Sequence, residues 1–277
     1  NGDQADNSVL GAGAAYVFVR ANGVWSQQAY VKAAKSGYAQ FGIVVALSGN
    51  GDTLAVGARG ESVGGAAYVF VRANNIWSQQ AHIKASNPAA NDAFGKSVAL
   101  ATDGNTLAVG ATWEDSAATG VNGDQANDAA KDSGAAYVFV RANNIWSQQA
   151  YIKASNPGVD DWFGWSVALS GVGDALVVGT YPEDSAAVGV GGDQVNNNAP
   201  GAGAAYVFLR TNGAWSQRSY VKASNTETFD YFGQDVALSG DGSILVAGAS
   251  AEDSAAVGVG GDQANNAVSL AGAVYLY

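Results

Sequence analysis

Along this chain the apolar residues come in short runs, solid or alternating with polar ones, and each run is cut off by Gly, Asn or Asp. Residues 94–162 show the pattern at full length. Ser97 to Leu100 is a first apolar run, and Asp103-Gly104-Asn105 marks a tight turn after it. Leu107 to Ala111 is a second. In Ala136 to Arg141, Tyr137, Phe139 and Arg141 alternate with Val138 and Val140, and the Asn143-Asn144 turn leads into a fourth run, Trp146 to Ala154. Short β-branched and aromatic runs bounded by turn residues predict four strands joined by hairpins. No segment keeps a 3.6-residue apolar period, so no helix is predicted.

The four-run unit recurs. Copies of GAAYVFVR-A-N-x-x-W-S-Q-Q-A-x-x-K-A begin at Gly13, Gly65, Gly134 and Gly203, and a shortened GAVYLY runs from Gly272 to Tyr277. Between them stands F-G-x-x-V-A-L-S-G followed by L-A-V-G-A, with Phe-Gly at Phe41, Phe94, Phe163 and Phe232. The first interval is shorter than the three equal ones that follow. Repeats of this length built from short strands indicate a solenoid or a propeller, and four antiparallel strands in sequence order make a propeller blade. The expected fold is all-β: a β-propeller of about four blade units spanning 1–277 as one domain. The units are 1–40 (partial), 41–93, 94–162, 163–231 and 232–277 (partial). The last unit stops at its third strand, so the segment Tyr30 to Ala33 is expected to close the ring as its fourth. A surplus third strand, Ala15 to Arg20, then remains to pair with a neighbouring molecule or to continue an array.

The Phe-Gly sites, the V-A-L-S and L-A-V-G-A strands and the G-A-x-Y-V-F strand resemble the FG-GAP repeat family, over nearly the whole chain. That family's β-propellers occur in integrin α-subunit headpieces and bacterial surface proteins. The resemblance implies an extracellular or cell-surface binding role. It does not extend to the family's D-x-D-x-D-G calcium loop. The corresponding hairpins here, Ser48-Gly49-Asn50-Gly51-Asp52 and Ser239-Gly240-Asp241-Gly242, are too short and too poor in carboxylates for a six- to eight-oxygen cage.

Composition narrows the possibilities further. With no Cys there is neither disulfide nor thiolate metal site. A net charge of −11 disfavours nucleic acid as a partner, and no apolar run is long enough for a transmembrane helix. The chain begins at Asn1 inside what reads as a repeat loop, Asn1-Gly2-Asp3-Gln4, and is expected to be part of a longer protein. The only histidine, His82, stands where the other units have Tyr30, Tyr151 and Tyr220, and is expected to replace an aromatic on a strand. Nucleophile–base and zinc chemistry lack parts, and repeated acidic positions are not what a unique catalytic pair would give. The expectation is a non-enzyme.

Two features remain for function. The loops Glu114 to Ser133, Glu183 to Gly201 and Glu252 to Leu270 share the pattern E-D-S-A-A-x-G-V-x-G-D-Q, whereas the first unit has only Glu61-Ser62-Val63-Gly64. Their paired aspartates, Asp115 and Asp124, Asp184 and Asp193, Asp253 and Asp262, form calcium sites if the loops are compact; otherwise they cap turns. The second feature is aromatic. Trp25, Trp77, Trp146 and Trp215 repeat and are expected to wedge between blades. Trp113, Tyr181, Trp162, Trp165 and Tyr231 belong to single units and fall on the long-loop face, where they either bind a protein or glycan or cover neighbouring loop backbone. Arg59, Lys96 and Arg218 are expected to be solvated surface charges. The leading expectation is a secreted adhesion module that binds through this face. The alternatives are a building block of a surface assembly pairing with copies of itself, and an accessory propeller of a secreted enzyme.

Overall fold

The computed structural model describes residues 4–33 and 37–277, so the Asn1-Gly2-Asp3-Gln4 loop tail lies largely outside the described residues. The repeat folds as the turn pattern dictates. Strands β1 (Ala15–Ala21) and β2 (Val24–Val31) form a hairpin. Three complete blades follow, all antiparallel and meandering in sequence order. The first blade is β3 (Val45–Leu47), β4 (Thr53–Ala58), β5 (Ala66–Ala73) and β6 (Ile76–Ile83). The second is β7 (Phe94–Leu100), β8 (Thr106–Ala111), β9 (Ala135–Ala142) and β10 (Ile145–Ile152). The third is β11 (Ser166–Leu169), β12 (Ala175–Thr180), β13 (Ala204–Thr211) and β14 (Ala214–Val221). A three-stranded sheet ends the chain: β15 (Phe232–Leu238), β16 (Leu245–Ala249) and β17 (Ala273–Leu276). Each sheet draws its strands from one sequence unit. No helix occurs among the described residues, so none is long and apolar enough to cross a membrane.

The core lies between blades. One cluster joins Ala55, Ala67 and Val69 of the first blade to Phe94, Leu107, Tyr137 and Tyr151 of the second, and an equivalent cluster joins the second to the third. The Phe-Gly motif makes this contact possible. Phe94 packs edge-on against Tyr137 and Phe139, with ring centroids 5.3 and 6.0 Å apart, and Phe41, Phe163 and Phe232 do the same in their units. The glycine after it has a positive φ of 81 to 91° in all four units, and a Cβ there would land on the carbonyl oxygen of the third strand's first residues. The glycine of L-A-V-G-A is equally constrained, because Gly57, Gly110 and Gly179 lie against the backbone of Gly95, Gly164 and Gly233 in the next blade. Both glycines are therefore places where backbone meets backbone. Ser97 and Ser166 donate across the same junction to the carbonyls of Gly164 and Gly233 at 2.8 and 2.9 Å.

Three of the four repeated tryptophans wedge between sheets as expected; Trp25 does not, being 66% exposed with no sheet before it among the described residues. Trp77, Trp146 and Trp215 donate from Nε1 to Gln28, Gln80 and Gln149 of the preceding sheet at 2.8 to 3.0 Å, each beneath an arginine of its own hairpin. His82 takes the tyrosine position opposite Tyr68. The join expected between Tyr30 to Ala33 and the last blade is not among the strand pairings of the described residues: β2 pairs with β1, and β17 with β16.

Candidate functional site

The first strands of successive blades lie against one another and line the axis. At the long-loop end of that axis, each Phe-Gly is preceded by a residue with positive φ: Gln40, Ala93, Trp162 and Tyr231, at 51, 59, 55 and 60°. The left-handed conformation costs a non-glycine residue about 1–2 kcal/mol. Two of the four carriers are large aromatics, and strain held by such residues is a reason to look for function around them.

Four of the five candidate aromatics meet here. Trp162 stacks on Trp165 with centroids 5.8 Å apart, and both meet Tyr181 edge-on, at 5.5 and 4.7 Å. Tyr181 in turn meets Tyr231 at 5.2 Å, and Tyr231 meets Phe229 at 6.3 Å. The result is an aromatic ribbon that crosses from the third blade to the last sheet. The fifth candidate, Trp113, stands apart: the Arg59 guanidinium lies over its ring at 5.9 Å, and Arg59 Nε donates to Gln40 Oε1 at 2.8 Å.

Two of the charges expected to be solvated are built into this face. The Lys96 ammonium sits 3.6 Å above the centre of Trp165, half-buried, and forms no ion pair among the described residues. Burial first, then the positive charge of Arg59, pushes Lys96 down to about 8, against the opposing pull of Asp235. Arg59 is half-buried as well, while Arg218 is exposed as expected. The indole N–H of Trp162 is buried and finds no acceptor among the described residues. The face thus offers flat rings, one desolvated cation and one unused donor.

The long loops are organised by a polar centre that sequence reasoning passed over. Glu114 is buried, and it accepts from Asn87 Nδ2 at 2.9 Å, Tyr151 OH at 2.8 Å and Lys153 Nζ at 2.8 Å. Glu183 repeats the arrangement with Asn156, Tyr220 and Lys222 at 3.1, 2.9 and 2.8 Å. In the first blade Glu61 receives His82 at 2.8 Å and lies 3.5 Å from Lys84. Burial lowers Lys153 and Lys222 while their glutamates draw them back up. A second buried carboxylate recurs beside each loop. Burial pushes Asp92 and Asp161 up to about 7 and Asp230 to about 6.

The six candidate metal ligands are used in turns. Asp115, Asp184 and Asp253 accept the backbone N–H of Asp132, Gly201 and Leu270 at 2.7 to 2.8 Å, which ties the two ends of each loop together. Asp124, Asp193 and Asp262 each accept the N–H two residues on, at 2.9 to 3.0 Å. No group of three or more carboxylate or histidine side chains suited to a metal ion occurs among the described residues. The donor set fits the turn-capping reading.

Meandering four-stranded blades packed face to face around a shared axis, with long loops gathered at one end, define a β-propeller that carries its variable residues on one face. The FG-GAP repeat description matches three times, at residues 77–139, 146–208 and 215–277, more than half of the chain. The chain belongs to the FG-GAP repeat family. Comparison with curated proteins gives no match.

Proposed function

We propose that this protein is a non-enzymatic binding module, displayed outside the cell, that recognises a glycan or protein ligand through the axial end of its long-loop face. One observation carries the reading. Residues that break the repeat around three successive Phe-Gly motifs, those of Phe94, Phe163 and Phe232, converge on one ribbon made of Trp162, Trp165, Tyr181 and Tyr231, with Lys96 laid against it. A scaffold is satisfied by the repeat consensus, so departures from it that meet in space are where selection for a ligand would act. Sugar rings stack on Trp and Tyr faces, and the same side chains anchor protein partners at low entropic cost. Lys96, which forms no ion pair among the described residues, favours a ligand that brings a carboxylate, sulfate or phosphate.

The labelled chain should be run on an array of neutral and acidic glycans and on immobilised extracellular proteins. Specific capture is expected, weakened about 30-fold by Trp165→Ala, the loss typical of a central aromatic anchor, and unaffected by Trp25→Ala at the distant rim. Silence of the wild type, or capture indifferent to Trp165→Ala and Trp162→Ala, overturns the reading.

A further inference from the structure

The buried polar centre beside the long loops holds more than an ion pair. Glu114 receives Lys153 Nζ on Oε2 at 2.8 Å and Asn87 Nδ2 on Oε1 at 2.9 Å. One carboxylate, itself buried, therefore holds an amine and a carboxamide side by side. The carboxamide oxygen is met by another donor: Tyr137 OH donates to Asn87 Oδ1 at 2.6 Å. Burial first, then the charge of Glu114, push the Tyr137 hydroxyl up, so it stays a donor. The third blade repeats these contacts. Lys222 and Asn156 meet the two oxygens of Glu183 at 2.8 and 3.1 Å, and Tyr206 OH donates to Asn156 Oδ1 at 2.6 Å.

A nucleophile, a proton carrier, a leaving nitrogen and a donor at the carbonyl oxygen are the parts of an acyl transfer. Burial lowers Lys153 and so brings its amine towards the neutral, nucleophilic form. Asn87 and Asn156 are each followed by proline, Pro88 and Pro157. The next peptide nitrogen carries no hydrogen, so neither carboxamide is lost to a succinimide.

We propose that Lys153 and Asn87, and likewise Lys222 and Asn156, join spontaneously through side-chain amide bonds, with Glu114 and Glu183 carrying the protons. Glu114 first takes a proton from the Lys153 ammonium. The freed Nζ lone pair attacks Asn87 Cγ, and the carbonyl electrons move to Oδ1, where the Tyr137 O–H stabilises the negative charge. Glu114 then protonates Nδ2 and takes a second proton from Nζ as the carbonyl reforms. The Nζ–Cγ bond is made, the Cγ–Nδ2 bond breaks, and Nδ2 leaves as ammonia. Glu114 keeps one proton, so no charge is left buried, and the balance needs no further reagent. Until the bond closes, Lys153 and Glu114 remain the ion pair described above.

The places joined give the bond its use. Asn87 lies on the connection that enters the second blade, between β6 and β7, and Lys153 lies directly beyond its outer strand β10. The bond fastens the end of the blade to its beginning, so the outer strand can no longer peel away. Asn156 and Lys222 do the same for the third blade. A covalent closure of this kind also narrows the unfolded ensemble. The first blade lacks one part. It has Glu61 and Lys84, but in sequence Lys35 stands where the other two have Asn87 and Asn156. Lys84 instead donates to the carbonyls of Ser62, Val63 and Gly65.

The intact mass of the purified chain is expected to fall short of the sequence mass by about 34 Da, about 17 Da of ammonia for each bond. Trypsin under denaturing conditions should leave Lys153 and Lys222 uncut, with residues 85–96 branched onto the peptide that contains Lys153, whereas Lys84 should be cut. Asn87→Ala is expected to halve the mass deficit and to free Lys153 for cleavage. The surviving Lys222–Asn156 bond then reports that the variant has folded. Glu114→Gln should act in the same way, because a carboxamide cannot relay the proton. A full sequence mass overturns the proposal. So does a deficit with both lysines cleaved, which would place the ammonia loss at a succinimide such as Asn122-Gly123. A branched peptide that survives Glu114→Gln would remove Glu114 as the proton carrier.

Discussion

The rim and the axial mouth of this propeller are built on opposite rules. At the rim, the Glu114–Tyr151–Lys153 centre recurs as Glu183–Tyr220–Lys222, and the Trp–Gln–Arg wedge appears at three successive junctions. At the mouth, the residue before Phe-Gly is Gln40, Ala93, Trp162 and Tyr231 in turn, although the backbone there is the same in every unit. Identical backbone with identical side chains is what holding blades together requires. Identical backbone with different side chains is what remains when each blade contributes its own part to a surface. The difference separates residues that maintain the fold from residues free to recognise something.

If the rim maintains the fold, damage there should be severe and local chemistry should explain it. Lys153 and Glu114 are 0% and 2% exposed. Lys153→Met leaves a buried carboxylate without its cation and is expected to cost about 3–5 kcal/mol in urea unfolding. Adding Glu114→Gln should restore most of that loss, because the pair is then replaced by groups that need no counter-charge. A double variant as unstable as the single one would mean that Lys153 acts through packing instead.

The wedge tests the same rule by position. Trp215 is 6% exposed and bonded to the preceding sheet, whereas Trp25, with no sheet before it among the described residues, is 66% exposed. Trp215→Ala should cost about 3–5 kcal/mol and Trp25→Ala less than about 1 kcal/mol. Equal losses would show that the tryptophan stabilises its own hairpin and not the junction.

Buried Asp161 offers a smaller, pH-dependent effect. Its folded value is raised to about 7 by burial, above the ordinary value, so the folded state binds the extra proton between the two. That stability is fully present below the unfolded value and is lost as pH rises through about 7. Asp161→Asn keeps an acceptor for the Gly158 N–H and mimics the protonated acid. It should match the wild type near pH 4 and exceed it by about 1–2 kcal/mol at pH 8.5. A constant offset across the range would place the titration elsewhere.

Much of the rim was legible in the sequence and much of the mouth was not. Phe-Gly, L-A-V-G-A and the tryptophans announced themselves because packing between blades repeats with the chain. His82 was legible because three tyrosines occupy its position. The Glu114–Lys153 centre was not: its members lie 39 residues apart, and a buried Lys or Glu has the same spelling as a solvated one. Lys96 was misjudged for that reason, since what desolvates it is Trp165 from the next unit. Trp113 and Tyr181 read as neighbours in pattern, yet they occupy adjacent rather than equivalent places after their second strands. That one-residue step puts them in different company, Trp113 with Arg59 and Tyr181 in the ribbon.

Lys96 gives the smallest effect and the sharpest separation of mouth from rim. Its folded value, about 8, lies below that of a free lysine, so between about 8 and 10.5 the unfolded state binds more protons than the folded one, and stability rises with pH across that window. The gain is about 1 kcal/mol, reduced by solvent screening because the ammonium is only half-buried. The clearer signal is spectroscopic. An ammonium 3.6 Å from the centre of an indole perturbs its emission in the charged form, so intrinsic tryptophan fluorescence should titrate with a midpoint near 8. Lys96→Met should abolish that transition while changing unfolding free energy by less than about 1 kcal/mol. A transition that survives in Lys96→Met would place the titrating group outside the mouth. A Lys96→Met variant destabilised as heavily as Lys153→Met would make Lys96 a rim residue by behaviour, and the division between holding and recognition would fail at that position.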